Sequence, residues 1–424
     1  TGEAIHASPH DDEAYFSGAT WLAGSSEFYF TTDQGRDVGG LAKYDMASRS
    51  WQYVRDFEWE PACYGDPAGR HLLIATNEDG YSRFELFDAA TLESQGEIPV
   101  PGRGVGHGAV RLLDPVFSFD GSKLGFTWTS GGRVPEAWVY DIEAGEMRRL
   151  TRSETEIPED ALVEPELSRI RSFDGLEFSA YVFRPREPAD PLPPVVVFVH
   201  GGPESQYKPV FDPVVQYLVS QGYAVVAPNV RGSTGYGKRF HHLDDVRLRM
   251  DSVRDLAALH DWLPAAGLDH RRAALWGGSY GGFMVLAGLT FQPERWAAAV
   301  DIVGISNWVT FLENTSPWRR KFREREYGSL ENDREFLESV SPLTHIDQVR
   351  SPLFIIHGTN DPRVPVSEAR QIHQALFERE IPCEMVIYDD EGHGLMKLKN
   401  RLDAYPKAVT FLDRALRQVA AGTP

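Results

Sequence analysis

The sequence predicts a mostly parallel, doubly wound α/β domain preceded by a partial β-propeller. Three observations carry that reading. Residues 1–150 hold a repeated antiparallel pattern, residues 165–424 alternate apolar runs with helix-length segments, and a glycine-flanked serine sits where one such run gives way to a helix. The chain has 424 residues and a net charge of −19, with 43 Lys and Arg against 62 Asp and Glu. That balance repels phosphate backbones and argues against nucleic acid as a partner. Apolar runs such as Val195 to Val199 are far shorter than the roughly 18 residues a membrane helix needs, so no membrane span is expected.

The propeller reading rests on self-similarity. Phe28 to Gly35 leads into Leu41 to Ser48, Leu72 to Gly80 into Phe84 to Thr91, and Leu124 to Gly132 into Ala137 to Gly145. Each pair reads as two alternating strands around a polar turn, closed by an aspartate and a second turn at Asp45, Asp88 and Asp141. Those aspartates recur at about the 40 to 50 residues of a four-stranded blade, and period-two spacing with many aromatic residues disfavours helices. Residues 1–150 then hold about three blades, fewer than the four or more that close a ring. An open ring would leave sheet faces and edges uncovered. The missing blades are therefore expected outside this chain, on the rest of a truncated or proteolysed product or on a separate chain.

Residues 151–164 are acidic, carry proline and lack periodicity, and read as a linker. From residue 165 the rhythm changes, with a turn at Ser172 to Gly175 and then runs such as "PVVVFVH", "GYAVVAPNV", "WAAAVDIVG" and "PLFIIHG". Runs that are apolar on both faces, each followed by a helical segment, indicate parallel strands covered on both sides. Residues 165–424 are thus expected to form an α/β domain.

Within it, Gly277-Gly278-Ser279-Tyr280-Gly281 is a G-x-S-x-G motif between a strand and a helix, the setting in which a sharp turn lifts a serine hydroxyl clear of the sheet. A glycine-rich turn with an idle serine is the plain alternative. A serine nucleophile needs a base oriented by a carboxylate, in the order Ser, Asp, His on this fold. Asp361, after the run "PLFIIHGTND", and His393, in "DDEGHG", satisfy the order and indicate an α/β hydrolase. His200 and His357 read as loop-holding histidines, and Asp389, Asp390 and Glu391 stand too close to His393 in sequence for an easy triad. The oxyanion donors are expected to be the amides of Gly202, in "HGGP", and Tyr280.

Other features read as structural. "GRGVGHG" (Gly102 to Gly108) follows no nucleotide-binding strand and reads as an inter-blade loop, and His10 to Asp12 and His241-His242 lack a metal-ligand pattern. The run Trp318 to Glu326 alternates charge and reads as a solvated helix inserted near the site. Cys63 and Cys383 suit small buried hydrophobes in a reducing compartment, and the opening stretch shows no signal peptide, so a cytoplasmic location is expected.

Taken together, "HGGP", "NVRGSTGYG" (Asn229 to Gly237), "GGSYGG", "HGTNDPRVP" and "EGHG" resemble the prolyl oligopeptidase family of serine peptidases, in particular its acylaminoacyl-peptidase-like branch. The resemblance covers nearly all of the α/β part, and "FSFDGSKLGF" is similar to the family's blade motif. It implies a hydrolase domain capped by a propeller that restricts access to short peptides, with no cofactor and no metal. It places nucleophile, acid and base on Ser279, Asp361 and His393, and suggests Arg363 as a substrate-binding cation. Family members are longer, which again points to absent N-terminal blades. The expected activity is hydrolysis of short peptides through an acyl-enzyme, as an exopeptidase or oligopeptidase. A carboxylesterase, another exopeptidase of the family such as a dipeptidyl peptidase or carboxypeptidase, and a non-catalytic propeller binding protein are the alternatives. Homo-oligomerisation is left open.

Overall fold

A computed structural model describes residues 4–21, 24, 26–109, 114–187 and 192–420, so residues 1–3 of the opening stretch lie outside the described residues. The chain divides into two compact units. The first comprises Thr1–Glu164 together with Lys208–Asp212 and Thr234–His241, and the second comprises Pro165–Tyr207, Pro213–Ser233 and His242–Pro424.

The first unit contains three four-stranded antiparallel sheets. Strands β1 to β4 run Phe16–Trp21, Glu27–Thr32, Gly40–Asp45 and Ser50–Arg55. Strands β5 to β8 run Pro61–Gly65, His71–Glu78, Tyr81–Asp88 and Ser94–Glu97. Strands β9 to β12 run Val116–Phe117, Lys123–Ser130, Arg133–Asp141 and Glu146–Arg149. The recurring aspartate has a physical role. In each sheet it ends the third strand, and its side chain accepts amides of the next turn: Ala47 for Asp45 at 2.8 Å, Ala90 and Thr91 for Asp88 at 3.0 and 2.9 Å, and Ala144 for Asp141 at 3.1 Å. The hairpin is thereby closed by its own sequence.

The second and third sheets share a buried cluster that includes Leu73, Phe84, Leu86, Leu124, Phe126 and Trp128. Phe84 meets Phe126 and Trp128 edge to face, with ring centroids 5.2 and 5.6 Å apart. "GRGVGHG" lies among these strands, with Val105 bridged to Thr129 and the Gly104 carbonyl accepting the Ser82 amide. The stretch expected as a linker groups with this unit. Thr151 and Ser153 are tied to the buried carboxylate of Glu136, and residues Glu159–Ala161 form a 3-10 turn. A buried carboxylate needs such donors, and composition alone does not reveal it.

The second unit is built on one eight-stranded sheet in the order β13-β14-β16-β15-β17-β18-β19-β20. A hairpin of β13 (Glu166–Arg171) and β14 (Glu177–Phe183) opens it, and β14 pairs antiparallel with β16 (Ala224–Asn229). The other strands, β15 (Pro194–Val199), β17 (Asp269–Gly278), β18 (Ala298–Ile302), β19 (Leu353–Gly358) and β20 (Cys383–Tyr388), continue the sheet in parallel. Helix α1 (Pro213–Ser220) links β15 to β16. Between β16 and β17 come the short α2 (Lys238–His241), in the segment grouped with the first unit, and α3 (Arg249–Trp262). Helix α4 (Tyr280–Phe291) follows β17, while α5 (Trp308–Asn314), α6 (Pro317–Tyr327) and α7 (Arg334–Ser339) separate β18 from β19. Helices α8 (Ser367–Phe377) and α9 (Leu398–Ala420) complete the unit.

The strand order reverses at β15, whose neighbours are β16 and β17, and such a switch point opens a crevice at the carboxyl ends of the strands. Residues 280–290 of α4 are all buried, as expected for a helix that is apolar on every side. Among the described residues no helix is long and apolar enough to cross a membrane.

Phe84→Ala is expected to destabilise the first unit by about 3–5 kcal/mol, the usual cost of emptying a buried aromatic site. Urea denaturation checks this; a loss under about 1 kcal/mol would mean that the second and third sheets do not share a packed core.

Candidate active site

The serine lies on the tight turn between β17 and α4. Ser279 has φ 60° and ψ −118°, a sparsely populated backbone state that costs on the order of 1–3 kcal/mol and recurs at functional turns. Its neighbours hold it there: the Ser279 amide donates to the Ile302 carbonyl at 2.9 Å, and its carbonyl accepts the Phe283 amide at 3.1 Å. The turn is close-packed. A methyl group on Gly281 would stand 2.3 Å from the Val199 carbonyl oxygen, so only glycine lets α4 start against the end of β15. One on Gly201 would stand 2.8 Å from the Gly278 carbonyl oxygen and 3.3 Å from Ser279 Cβ, which puts the "HGGP" loop beside the serine. Tyr280 is the first residue of α4, so its amide is outside the helical hydrogen-bond ladder.

Asp361 and His393 are brought together. His393 Nδ1 lies 2.7 Å from Asp361 Oδ2, while Asp361 Oδ1 accepts the amides of Arg363 and Val364 at 2.8 and 3.0 Å. The carboxylate is buried, with its position set from two sides. No hydrogen bond joins His393 to Ser279. The rival groups have other work. His357 Nε2 lies 3.0 Å from the Val364 carbonyl, and His200 spans the Gly201 carbonyl and the Ser233 hydroxyl. Asp389 accepts the Thr359 hydroxyl, Asp390 meets Lys397 and Lys399, and Glu391 accepts the amides of Met396 and Lys397. Arg363 is exposed on the loop after Asp361.

A chain of buried and partly buried charges, not foreseen from the sequence, supports both loops. Glu204, just past "HGGP", pairs with Arg323 of α6 at 2.8 Å, and Arg323 pairs with Glu326 at 3.2 Å. Glu326 in turn meets Arg249 at 2.9 Å, and Arg249 bonds Asp244 and, at 2.8 Å, the Tyr280 hydroxyl. The Tyr327 hydroxyl donates to the Gly202 carbonyl at 3.0 Å, so α6 also grips the "HGGP" loop directly. Burial pushes Asp244 and Glu326 up from the usual carboxylate range, and Arg249 opposes that shift in both. The run at Trp318 to Glu326 is therefore not simply a solvated helix. Trp318 and Phe322 face solvent, but Glu326 and Tyr327 are buried and Arg323 is paired. Charge alternation gives no warning of this, because the partners come from α3 and from the loop after β15.

A second unforeseen group is Asp301, at the end of β18 and directly across from Gly277. It is fully buried, and neither carboxylate oxygen makes a good hydrogen bond. A methyl group on Gly282 or Gly304 would fall 2.4 or 2.1 Å from Oδ1, so the carboxyl is wedged under the first turn of α4. Burial, with a smaller contribution from Glu368, pushes it up to about 7.

The strand order, the serine turn and the Asp361–His393 contact define an α/β-hydrolase domain. Residues 209–419 match the model of the prolyl oligopeptidase family, and the chain belongs to that family. It is 32% identical over 393 residues to dipeptidyl aminopeptidase BIII of Pseudoxanthomonas mexicana, covering 88% of this chain and 55% of the relative. It is 29% identical over 249 residues to the acylamino-acid-releasing enzyme of Rattus norvegicus, covering 57% of this chain and 34% of that protein. The solved structure of a Mycobacterium tuberculosis puromycin-hydrolysing peptidase superposes with a TM-score of 0.85 at 26% identity, over 95% of this chain and 62% of that one. The chain thus spans little more than half the length of these full proteins where the match is longest.

Two outcomes follow from the buried charges. Arg249→Met leaves Asp244 without a cationic partner and Glu326 with Arg323 alone, and is expected to destabilise the second unit by about 3–5 kcal/mol in urea denaturation; a neutral result would show that water reaches the two carboxylates. For Asp301 the folded pKa lies above the unfolded one. The folded state therefore binds the extra proton, and the stability it contributes falls as pH rises through the carboxylate range towards 7. Asp301→Asn stays neutral, so its melting temperature should exceed the parent's at about pH 8 and the gap should narrow by about pH 5; an equal gap at both would mean that the carboxyl ionises freely.

Proposed function

We propose that the chain is a serine peptidase of short peptides, with Ser279 as nucleophile, His393 as general base and Asp361 as the carboxylate that orients it. One observation carries the reading: His393 is bonded through Nδ1 to a buried aspartate, which leaves Nε2 for a serine hydroxyl, and Ser279 occupies the strained turn that presents one. In the reaction Ser279 Oγ attacks the scissile carbonyl carbon, and its proton passes to His393. Asp361 stabilises the imidazolium. The amides of Gly202 and Tyr280 receive the developing oxyanion, each such donor worth about 3 kcal/mol of barrier. His393 then protonates the leaving amine, and water hydrolyses the acyl-enzyme by the reverse proton route. Contacts between base and nucleophile are often long before substrate binds, so the absence of a Ser279–His393 bond does not count against this assignment.

The relatives' names, a dipeptidyl aminopeptidase and an acylamino-acid-releasing enzyme, support release of a small unit from the N-terminus of a peptide. No cofactor takes part in this scheme. We assign a cytoplasmic setting, supported by two free cysteines, one buried and one partly buried.

Labelling by a fluorophosphonate is expected in the parent and absent in Ser279→Ala, with peptide hydrolysis lowered by about 10⁴-fold or more. A labelled parent that cleaves nitrophenyl esters and no peptide in a panel of blocked and free dipeptides would replace peptidase by esterase. Labelling that persists in Ser279→Ala would remove the nucleophile.

A further inference from the structure

Asp301 is a buried carboxyl that the hydrolytic scheme leaves unused, and it lies directly behind the serine turn. Val300 stands opposite Trp276 and Phe354, whose rings meet Tyr405 and Phe411 of α9, so strand alternation turns Asp301 to the other face of the sheet, under α4. Two strained turns flank it. Ser279 follows β17 at φ 60°, and Val303, just past β18, stands at φ 48°, a left-handed state that is costly for a β-branched residue. Ile302, between Asp301 and Val303, accepts the Ser279 amide at 2.9 Å.

The surroundings of Asp301 suit a neutral acid. An ionised carboxylate buried this deeply requires a cation or several donors, and Asp301 has neither. Both oxygens lack a hydrogen bond, and the Gly304 amide approaches without closing one. Among the described residues the elements packed on it bring no cation. β17 and β19 oppose it with Gly277 and Ile355, and α4 meets it with Gly282. The Tyr280 phenol on that first turn is engaged by Arg249 and Asp244. Glu368 on α8 and the Cys383 thiol on β20 reach it electrostatically, and both are acids. Burial, helped by Glu368, therefore pushes Asp301 up to about 7.

We infer that Asp301 is a positioning residue that works as a neutral carboxylic acid, filling the space under the serine turn without setting a negative charge against the N-terminus of α4, where the oxyanion forms. The inference rests on the hydrolytic reading of Ser279 and adds a proton-controlled setting to it. A carboxylate below that turn would draw on the positive end of α4 and repel the charge arriving at the Tyr280 amide. His393 is not among the groups whose field reaches Asp301, so ionisation acts on the oxyanion and not on the base. Raising the pH through the range in which Asp301 ionises should therefore slow attack by Ser279.

The test is the rate of fluorophosphonate labelling of the full chain across the pH range, for the parent and for Asp301→Asn, at a temperature where both are folded. Asn keeps the shape and cannot ionise. The parent's rate should rise as His393 loses its proton and then fall by about tenfold between about pH 7 and about pH 9, the effect of one new charge near the oxyanion. Asp301→Asn should rise in the same way and hold its plateau. A merely structural residue would lower the rate by one factor at every pH, and that result overturns the inference. So does an alkaline fall shared by both proteins or absent from both. Asp301→Ala, equally unable to ionise, repeats the comparison should Asp301→Asn not fold. Failure of both to fold would mean that a carboxylate's charge holds the turn, the opposite of what is inferred. No labelling of the parent at any pH defeats the hydrolytic reading and the inference with it, whereas labelling with matching profiles defeats the role of Asp301 alone.

Discussion

The site depends on backbone packing at the switch point of the sheet. The end of β15, the turn at Ser279 and the first turn of α4 approach so closely that a side chain at Gly281 would collide with the Val199 carbonyl. That approach sets the remaining geometry. The register of β15 against β17, with Val199 opposite Gly277, brings "HGGP" to the serine, and the parallel order onwards to β19 and β20 delivers the two loops bearing Asp361 and His393 to the same edge. A strained serine persists only where its surroundings over-determine it. Here the over-determination comes from the Ile302 carbonyl below, α4 ahead and β15 alongside.

The second constraint is electrostatic. Burying Arg249 between Asp244, Glu326 and Tyr280 costs desolvation of four ionisable groups, and an apolar cluster of equal volume would serve stability at least as well. What the apolar alternative lacks is direction. Arg249 reaches Tyr280 on the serine turn, while Glu326 and Arg323 connect it to Glu204 beside "HGGP". Hydrogen-bond geometry in this chain fixes two loops against one helix, and the stacking of Tyr280 on Tyr327, with rings 7° from parallel, adds a contact that tolerates little sliding.

The architecture was legible because it rests on local periodicity. Alternation marked the strands of the three antiparallel sheets, and doubly apolar runs marked β15 to β20. Ser279, Asp361 and His393 could be nominated together because a loop at a strand's carboxyl end, in a fixed chain order, is visible in one dimension. The hairpin of β13 and β14 was not read as strands, since β13 has one buried residue and a mixed polar pattern. The role of α6 was hidden for a different reason. Its charges look like a solvated face until Arg323 and Glu326 meet Glu204 and Arg249, residues far away in sequence, and nothing local encodes those partners. Asp301 was hidden within an apolar run, where one carboxyl among alanines and valines gives no period of its own.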